Sequence, residues 1–149
     1  MVRKAQTATE YLIILAVVII IALIVVGVMG GIPAMGGNSK MKTSAAYWST
    51  AKLALISYAV KPTGVNLSMR NNEINTLMIN SISLGGTNLG ITPQVLSTGQ
   101  TAAFNSGAKN CTSGTFSYTV VINYTDVATG GGYSFTGDGQ TLDGTCATS

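Results

Sequence analysis

Apolar and polar positions divide the chain into two regions of different periodicity. From Leu12 to Met29 apolar positions follow one another for about eighteen residues, the length at which a spanning helix becomes the default reading. The run carries no polar stripe, so such a helix must meet apolar material on every side. Its Ile and Val residues are poor helix formers in water. In lipid or a helix bundle, however, the backbone has to satisfy its own hydrogen bonds, and propensity gives way. Gly27 and Gly30-Gly31 weaken the helix, Pro33 pushes Ile32 out of the α region, and Gly36-Gly37 follow, so 30–37 is expected to be a break or hinge. Asn38-Ser39 can then cap a second, short helix, with Met41, Ala45, Trp48 and Leu55 near helical spacing, that hands over to a strand near Lys52. A continuous but kinked helix is the alternative.

From Leu53 the pattern becomes β. Leu53–Val60 is rich in apolar and aromatic residues and stops at the turn Lys61-Pro-Thr-Gly64. In 65–70, Val65, Leu67 and Met69 alternate with Asn66, Ser68 and Arg70, the signature of a half-buried strand. Asn71-Asn72 turns the chain, and 74–84 follows with Leu77, Ile79, Ile82 and Leu84 before Gly85-Gly86. Thr101–Phe104 comes after the turn Ser97-Thr-Gly-Gln100. In 115–124, Phe116, Tyr118, Val120, Ile122 and Tyr124 fall on one face. Tyr133–Thr136 and a segment near Leu142 bring the total to about seven short strands with regular turn signals, which predicts a sandwich or small barrel. The expected fold class is therefore α+β: a long N-terminal hydrophobic helix followed by an all-β sandwich or barrel head.

The residues ahead of the apolar run carry several readings. Thr7-Ala-Thr-Glu10 has the spacing of a capping box, with Thr7 as cap and Glu10 reaching back to its amide. Arg3-Lys4 before an apolar run also begins a secretory signal, but such a signal has a core of roughly 7–15 residues and a small-residue cleavage site. Here the run is longer, and Gly30-Gly31-Ile-Pro-Ala34 matches such a site only loosely.

Taken together, Lys4-Ala5-Gln6, Glu10-Tyr11-Leu12 and the apolar run closely resemble the class III signal peptide of archaeal type IV pilins. The resemblance covers about twenty-five residues in a motif-rich stretch. It implies that a prepilin peptidase cuts between Ala5 and Gln6 on the cytoplasmic side and that the apolar helix stays in the mature chain. Glu10 then takes the place where type IV pilins carry their glutamate, with the new α-amino group of Gln6 on a neighbouring subunit as its partner. The Asn-rich turns, Ser97-Thr-Gly-Gln100 and Asn123-Tyr-Thr-Asp126 followed by glycines, look similar to archaeal pilin heads. Bacterial short pilins share a Glu-Tyr-Leu start but usually lack a head of this size.

On this reading residues 1–5 form a leader, 6–30 a transmembrane and filament-core helix, 31–52 a hinge and short helix, and 53–149 an extracellular β head. The expected function is that of a structural subunit of an archaeal type IV pilus-like filament used for surface adhesion. The alternatives are a minor pilin or pseudopilin, or a membrane-anchored or secreted binding domain. The resemblance implies a homopolymer of pilin subunits, a prepilin peptidase, an assembly ATPase with its membrane platform, and an N-glycosylation enzyme. The precursor is expected in the cytoplasmic membrane, with Arg3 and Lys4 inside, and the mature chain in a filament on the cell surface.

Composition narrows the chemistry. Charged residues make up 9% of the chain and the net charge is +3, so losing Arg3 and Lys4 leaves +1. No Lys/Arg cluster or basic-aromatic alternation points to nucleic acid. The chain has no histidine and only five acidic residues, which removes His-based acid–base catalysis, Ser-His triads and His metal sites. An enzyme is not expected, nor a cofactor. Asp126, Asp138 and Asp143 sit among C-terminal glycines and invite a calcium reading, but they lack alternating EF-hand ligand spacing, and turn chemistry is the expected role. Gly137-Asp-Gly139 begins like a dinucleotide fingerprint, yet Leu142 stands where the third glycine belongs.

Cys111 and Cys146 are the two cysteines. In an exported head a lone pair is most simply one disulfide, the alternative being two unrelated thiols. Sequons occur at Asn66-Leu-Ser68, Asn110-Cys-Thr112 and Asn123-Tyr-Thr125. In a chain this rich in Asn, Ser and Thr, chance alone produces about two, so it is the expected export that makes glycosylation plausible. The expected order is Asn123, whose side chain lies opposite the apolar face of its strand, then Asn66, then Asn110, whose sequon encloses Cys111.

Overall fold

The computed structural model describes residues 3–28 and 36–148, with side chains for 8–24 and 39–148. Two compact units divide at Gly37/Asn38. The first contains helix α1 (Arg3–Val28). Among the described residues no helix is long and apolar enough to cross a membrane. The helix already runs at Arg3, with no acidic residue in its first turn, so in this chain Thr7 does not cap it and the capping-box reading falls. The hinge expected at 30–37 lies, through residue 35, outside the described residues; Gly36 and Gly37 open the next helix.

That helix, α2 (Gly36–Thr50), contributes to the second unit through Ser44, Trp48 and, just beyond its end, Ala51, all buried. The spacing of four and three keeps them on one face. Ser44 takes the place expected for Ala45, which is exposed. A hydroxyl is admitted there because Ser44 Oγ donates to Thr141 O at 2.8 Å and accepts from the Asp143 amide at 3.0 Å.

Nine strands follow: β1 (Leu53–Lys61), β2 (Gly64–Asn71), β3 (Leu77–Leu84), β4 (Thr87–Asn88), β5 (Gln94–Leu96), β6 (Thr101–Ser106), β7 (Thr115–Asp126), β8 (Gly132–Phe135) and β9 (Thr141–Thr145). They form two open sheets. One has the order β1-β2-β6; in the other, β3 lies between β7 and the short β4 and β5, while β7 pairs further with β8 and with β9. All the pairings are antiparallel.

The expectation of a long hydrophobic helix followed by a sandwich or barrel is thereby corrected. The chain is mainly β-sheet and the sheets remain open. Two residues of β4 and three of β5 each cover only part of β3, so the edge of the larger sheet is interrupted rather than carried onward. A barrel requires a continuous staggered ladder all the way round.

Both sheets contribute side chains to one buried cluster, among them Leu55, Leu67 and Met69 from the smaller and Ile79, Ile82 and Ile122 from the larger. The register of β3 shifts between Ile79 and Ser81. The extra residue, Asn80, resets the alternation and lets both Ile79 and Ile82 point inward, as a bulge does.

Candidate functional site

On α1, the large apolar side chains from Tyr11 to Ile24 are all exposed, from 41% at Leu15 to 66% at Leu23. Every side of the helix is apolar because the sequence offers no polar repeat. Such a surface is costly in water, at roughly 25 cal/mol per Å² of apolar area. Glu10, also exposed, sits beside this run. The backbone of Ala5 and Gln6 is helical, while their side chains lie outside the described residues.

The head carries the other expected sites. Cys111 and Cys146 are joined as a disulfide, with Cα atoms 5.5 Å apart and a sequence separation of 35. The loop before β7 is thus tied to the segment after β9. The Cys111 amide also donates to Lys61 O at 3.1 Å, and the Ala147 amide to Val60 O at 2.8 Å, so both ends of the bridge are anchored to β1.

Asn66, Asn110 and Asn123 are all exposed, but their backbones differ. Asn66 pairs with Ala59 on one side and Asn105 on the other. Asn123 pairs with Ser81 and Ser134, and its amide donates to Ser81 Oγ at 3.0 Å. Asn110 lies in the loop between β6 and β7, the setting a sequon favours.

The three C-terminal aspartates are not brought together. Asp126 closes the β7–β8 turn: Oδ1 accepts the amides of Ala128 and Thr129, and Oδ2 accepts Asn75 Nδ2 at 2.8 Å. The Asn75 hydrogen bond, with help from the two amides, holds its carboxyl below the usual range. Asp138 accepts from the Tyr47 hydroxyl at 2.9 Å. Desolvation, then this bond and the nearby charge, push the Tyr47 hydroxyl up to about 12. Asp143 accepts from Thr141 Oγ1 at 2.9 Å, and its carbonyl accepts from the Tyr58 hydroxyl at 2.9 Å. Burial raises the Tyr58 pKa. Among the described residues no group of three His, Cys, Asp or Glu side chains could hold a metal ion.

Sequence reasoning missed one cluster. At the end of the larger sheet a cavity of about 240 Å³ is lined by Lys52, Glu73, Asn75, Tyr124, Asp126 and Tyr133, with Leu77 beneath. The Tyr124 and Tyr133 rings stack with centroids 5.7 Å apart. The Lys52 ammonium lies 5.0 Å from the Phe135 ring centroid and donates to the Tyr124 hydroxyl at 3.3 Å. These residues span 82 positions from Lys52 to Tyr133, so no local motif announces them.

No family model matches this chain, and no curated protein matches it.

Proposed function

We propose that this chain is a subunit of an archaeal type IV pilus-like filament and that α1 is the element through which copies assemble. The observation that carries the reading is the exposure of every large apolar side chain from Tyr11 to Ile24. A helix apolar on all sides is stable only when something apolar surrounds it. Copies of the same helix supply that surface, and a head-to-tail contact that does not close on itself grows into a helical polymer.

The start Gln6-Thr-Ala-Thr-Glu10-Tyr11-Leu12 supports the same reading. Cutting before Gln6 puts Glu10 near a new helix N-terminus, where a carboxylate complements the dipole. It also creates an ammonium that a neighbour's Glu10 can pair with. The partners proposed are further copies, a prepilin peptidase, an assembly ATPase with its platform, and a glycosylation enzyme. The proposed route runs from the cytoplasmic membrane to a filament on the cell surface, where it serves adhesion. The membrane step rests on the apolar run of the sequence.

The test is the intact mass of protein purified from cell-surface filaments, read together with electron micrographs. The expected mass is that of a chain beginning at Gln6, with or without loss of ammonia to pyroglutamate. An N-terminus beyond Gly30 would mean an ordinary secretory signal and would end the filament reading.

A further inference from the structure

We infer that the cavity between Lys52, Glu73, Asn75 and the Tyr124–Tyr133 pair is a binding site for a single neutral sugar ring. The assignment stands on the head alone and does not depend on the filament reading. Its volume of about 240 Å³ falls below the roughly 300 Å³ at which drug-sized pockets begin, a size suited to one pyranose.

The wall chemistry points the same way. Tyr133 is 52% exposed and stacks on Tyr124 at an interplanar angle of 29°. Tyr124 is only 7% exposed, so Tyr133 supplies the aromatic wall for the C–H face of a sugar and Tyr124 backs it. Around it stand hydrogen-bonding groups of both kinds. Glu73 makes no hydrogen bond through its carboxylate among the described residues. Asn75 spends one amide hydrogen on Asp126, leaving its carbonyl oxygen and a second N–H. Lys52 gives one of its three donors to Tyr124, leaving two. Adjacent hydroxyls of a sugar both donate and accept, so they can pair with a carboxylate, an amide and an ammonium at once.

Charge argues against a small anion. Glu73 and Asp126 carry two negative charges against the one positive charge of Lys52. A neutral polyol meets no such repulsion.

The mouth of the cavity is built for contact. It opens where the β2–β3 and β7–β8 connections meet, tied by the Val127 amide donating to Thr76 O at 3.0 Å. Ile74 and Val127, next in sequence to the lining acids, are 87% and 53% exposed. Binding residues concentrate on loops held by a rigid scaffold, and these loops are held by β3 and β7, which pair with each other.

The experiment is saturation-transfer NMR on the full chain in dodecylphosphocholine, a detergent without a sugar headgroup. The probes are the methyl glycosides of glucose, galactose and mannose, and N-acetylglucosamine. The expected result is transfer to at least one of them, with a Kd on the order of 1 mM. Tyr133→Phe should hold that Kd within about threefold, whereas Tyr133→Ala should weaken it about tenfold or more, as loss of a stacking wall requires. Glu73→Gln, at a side chain with no internal partner, leaves the fold intact and should weaken it about fivefold. Transfer to none of the four sugars, or transfer unchanged in both Tyr133→Ala and Glu73→Gln, overturns the assignment.

Discussion

Gly137 lies flat against the indole of Trp48: a Cβ at Gly137 would overlap ring atoms Cη2 and Cζ2. Its φ of 68° is also one that L side chains rarely adopt. Trp48 is fully buried and donates through Nε1 to Thr141 O at 3.1 Å, so the ring has nowhere to retreat. Gly137→Ala should destabilise the head by about 1–3 kcal/mol through overpacking alone, with backbone strain added. Urea unfolding followed by Trp fluorescence measures it. An unchanged midpoint would mean that the turn at 137–139 moves freely.

The Cys111–Cys146 bridge closes a loop of 35 residues. In the chain-entropy account, removing it costs about 4 kcal/mol. The Cys111→Ser/Cys146→Ser double variant should therefore unfold at a much lower urea concentration, with little change in far-UV dichroism at zero urea. Peptide mapping of native protein without reductant should recover the two linked peptides, and two free thiols would refute the bridge.

Two groups give stability opposite pH dependences. The Asp126 carboxyl titrates below its usual value in the fold. The stabilisation it contributes is therefore present above the unfolded value and disappears as pH falls through the folded one. The Tyr47 hydroxyl is raised from 10.0 to about 12, so its contribution is present below pH 10 and is lost as pH climbs towards 12. Melting scans should show Asn75→Ala flattening the acid limb and Tyr47→Phe flattening the alkaline limb. The reverse assignment would contradict the hydrogen bonds described.

Glycosylation of folded protein should favour Asn110. Asn66 and Asn123 are each paired on both sides within a sheet, and an acceptor normally lies in a surface loop. Glycopeptide mapping should show higher occupancy at Asn110 than at either strand position. Dominant occupancy at Asn123 would instead mean that the glycan is attached before β7 pairs.

Within the filament proposal, Glu10→Gln should leave cleavage before Gln6 intact and reduce filament number at least tenfold. A carboxylate entering a packed core is costly unless it is paired, and the amide keeps the shape without the charge that pairs with an ammonium. Filament counts beside the cleaved fraction on a blot measure this. Normal filaments from cleaved Glu10→Gln protein would leave Glu10 with a local helical role.

Much of the head was legible in the sequence, and the failures have physical causes. The alternation of 115–124 marks β7 because one face of that strand is buried: Phe116, Val120, Ile122 and Tyr124 are all inside. The two cysteines could pair in only one way within the chain. β4 and β5 escaped because two or three residues carry no measurable period. Ser44 was passed over for Ala45 because only the partner carbonyl and amide on β9 make a hydroxyl acceptable inside. Strand spacing predicts a sandwich and a barrel alike, and it says nothing about whether the last edge finds a partner. The cavity at Lys52 and Tyr133 is a product of topology, so its residues look ordinary one by one.

The fastening of α2 to β9 has a consequence for when the head can form. Ser44 reaches Thr141 and Asp143, partners 97 and 99 residues away, and Tyr58 reaches Asp143 across 85. Contacts this distant in sequence slow folding, because each closes a long loop before any gain is realised. While residues 141–147 are still inside a ribosome or a membrane channel, Trp48 has no carbonyl to bond and β7 lacks one neighbour along half its length. A head passed through a channel from its N-terminal end thus remains pliable until nearly all of it has passed. Within the filament proposal, export and folding are thereby kept in sequence by the wiring of the head itself.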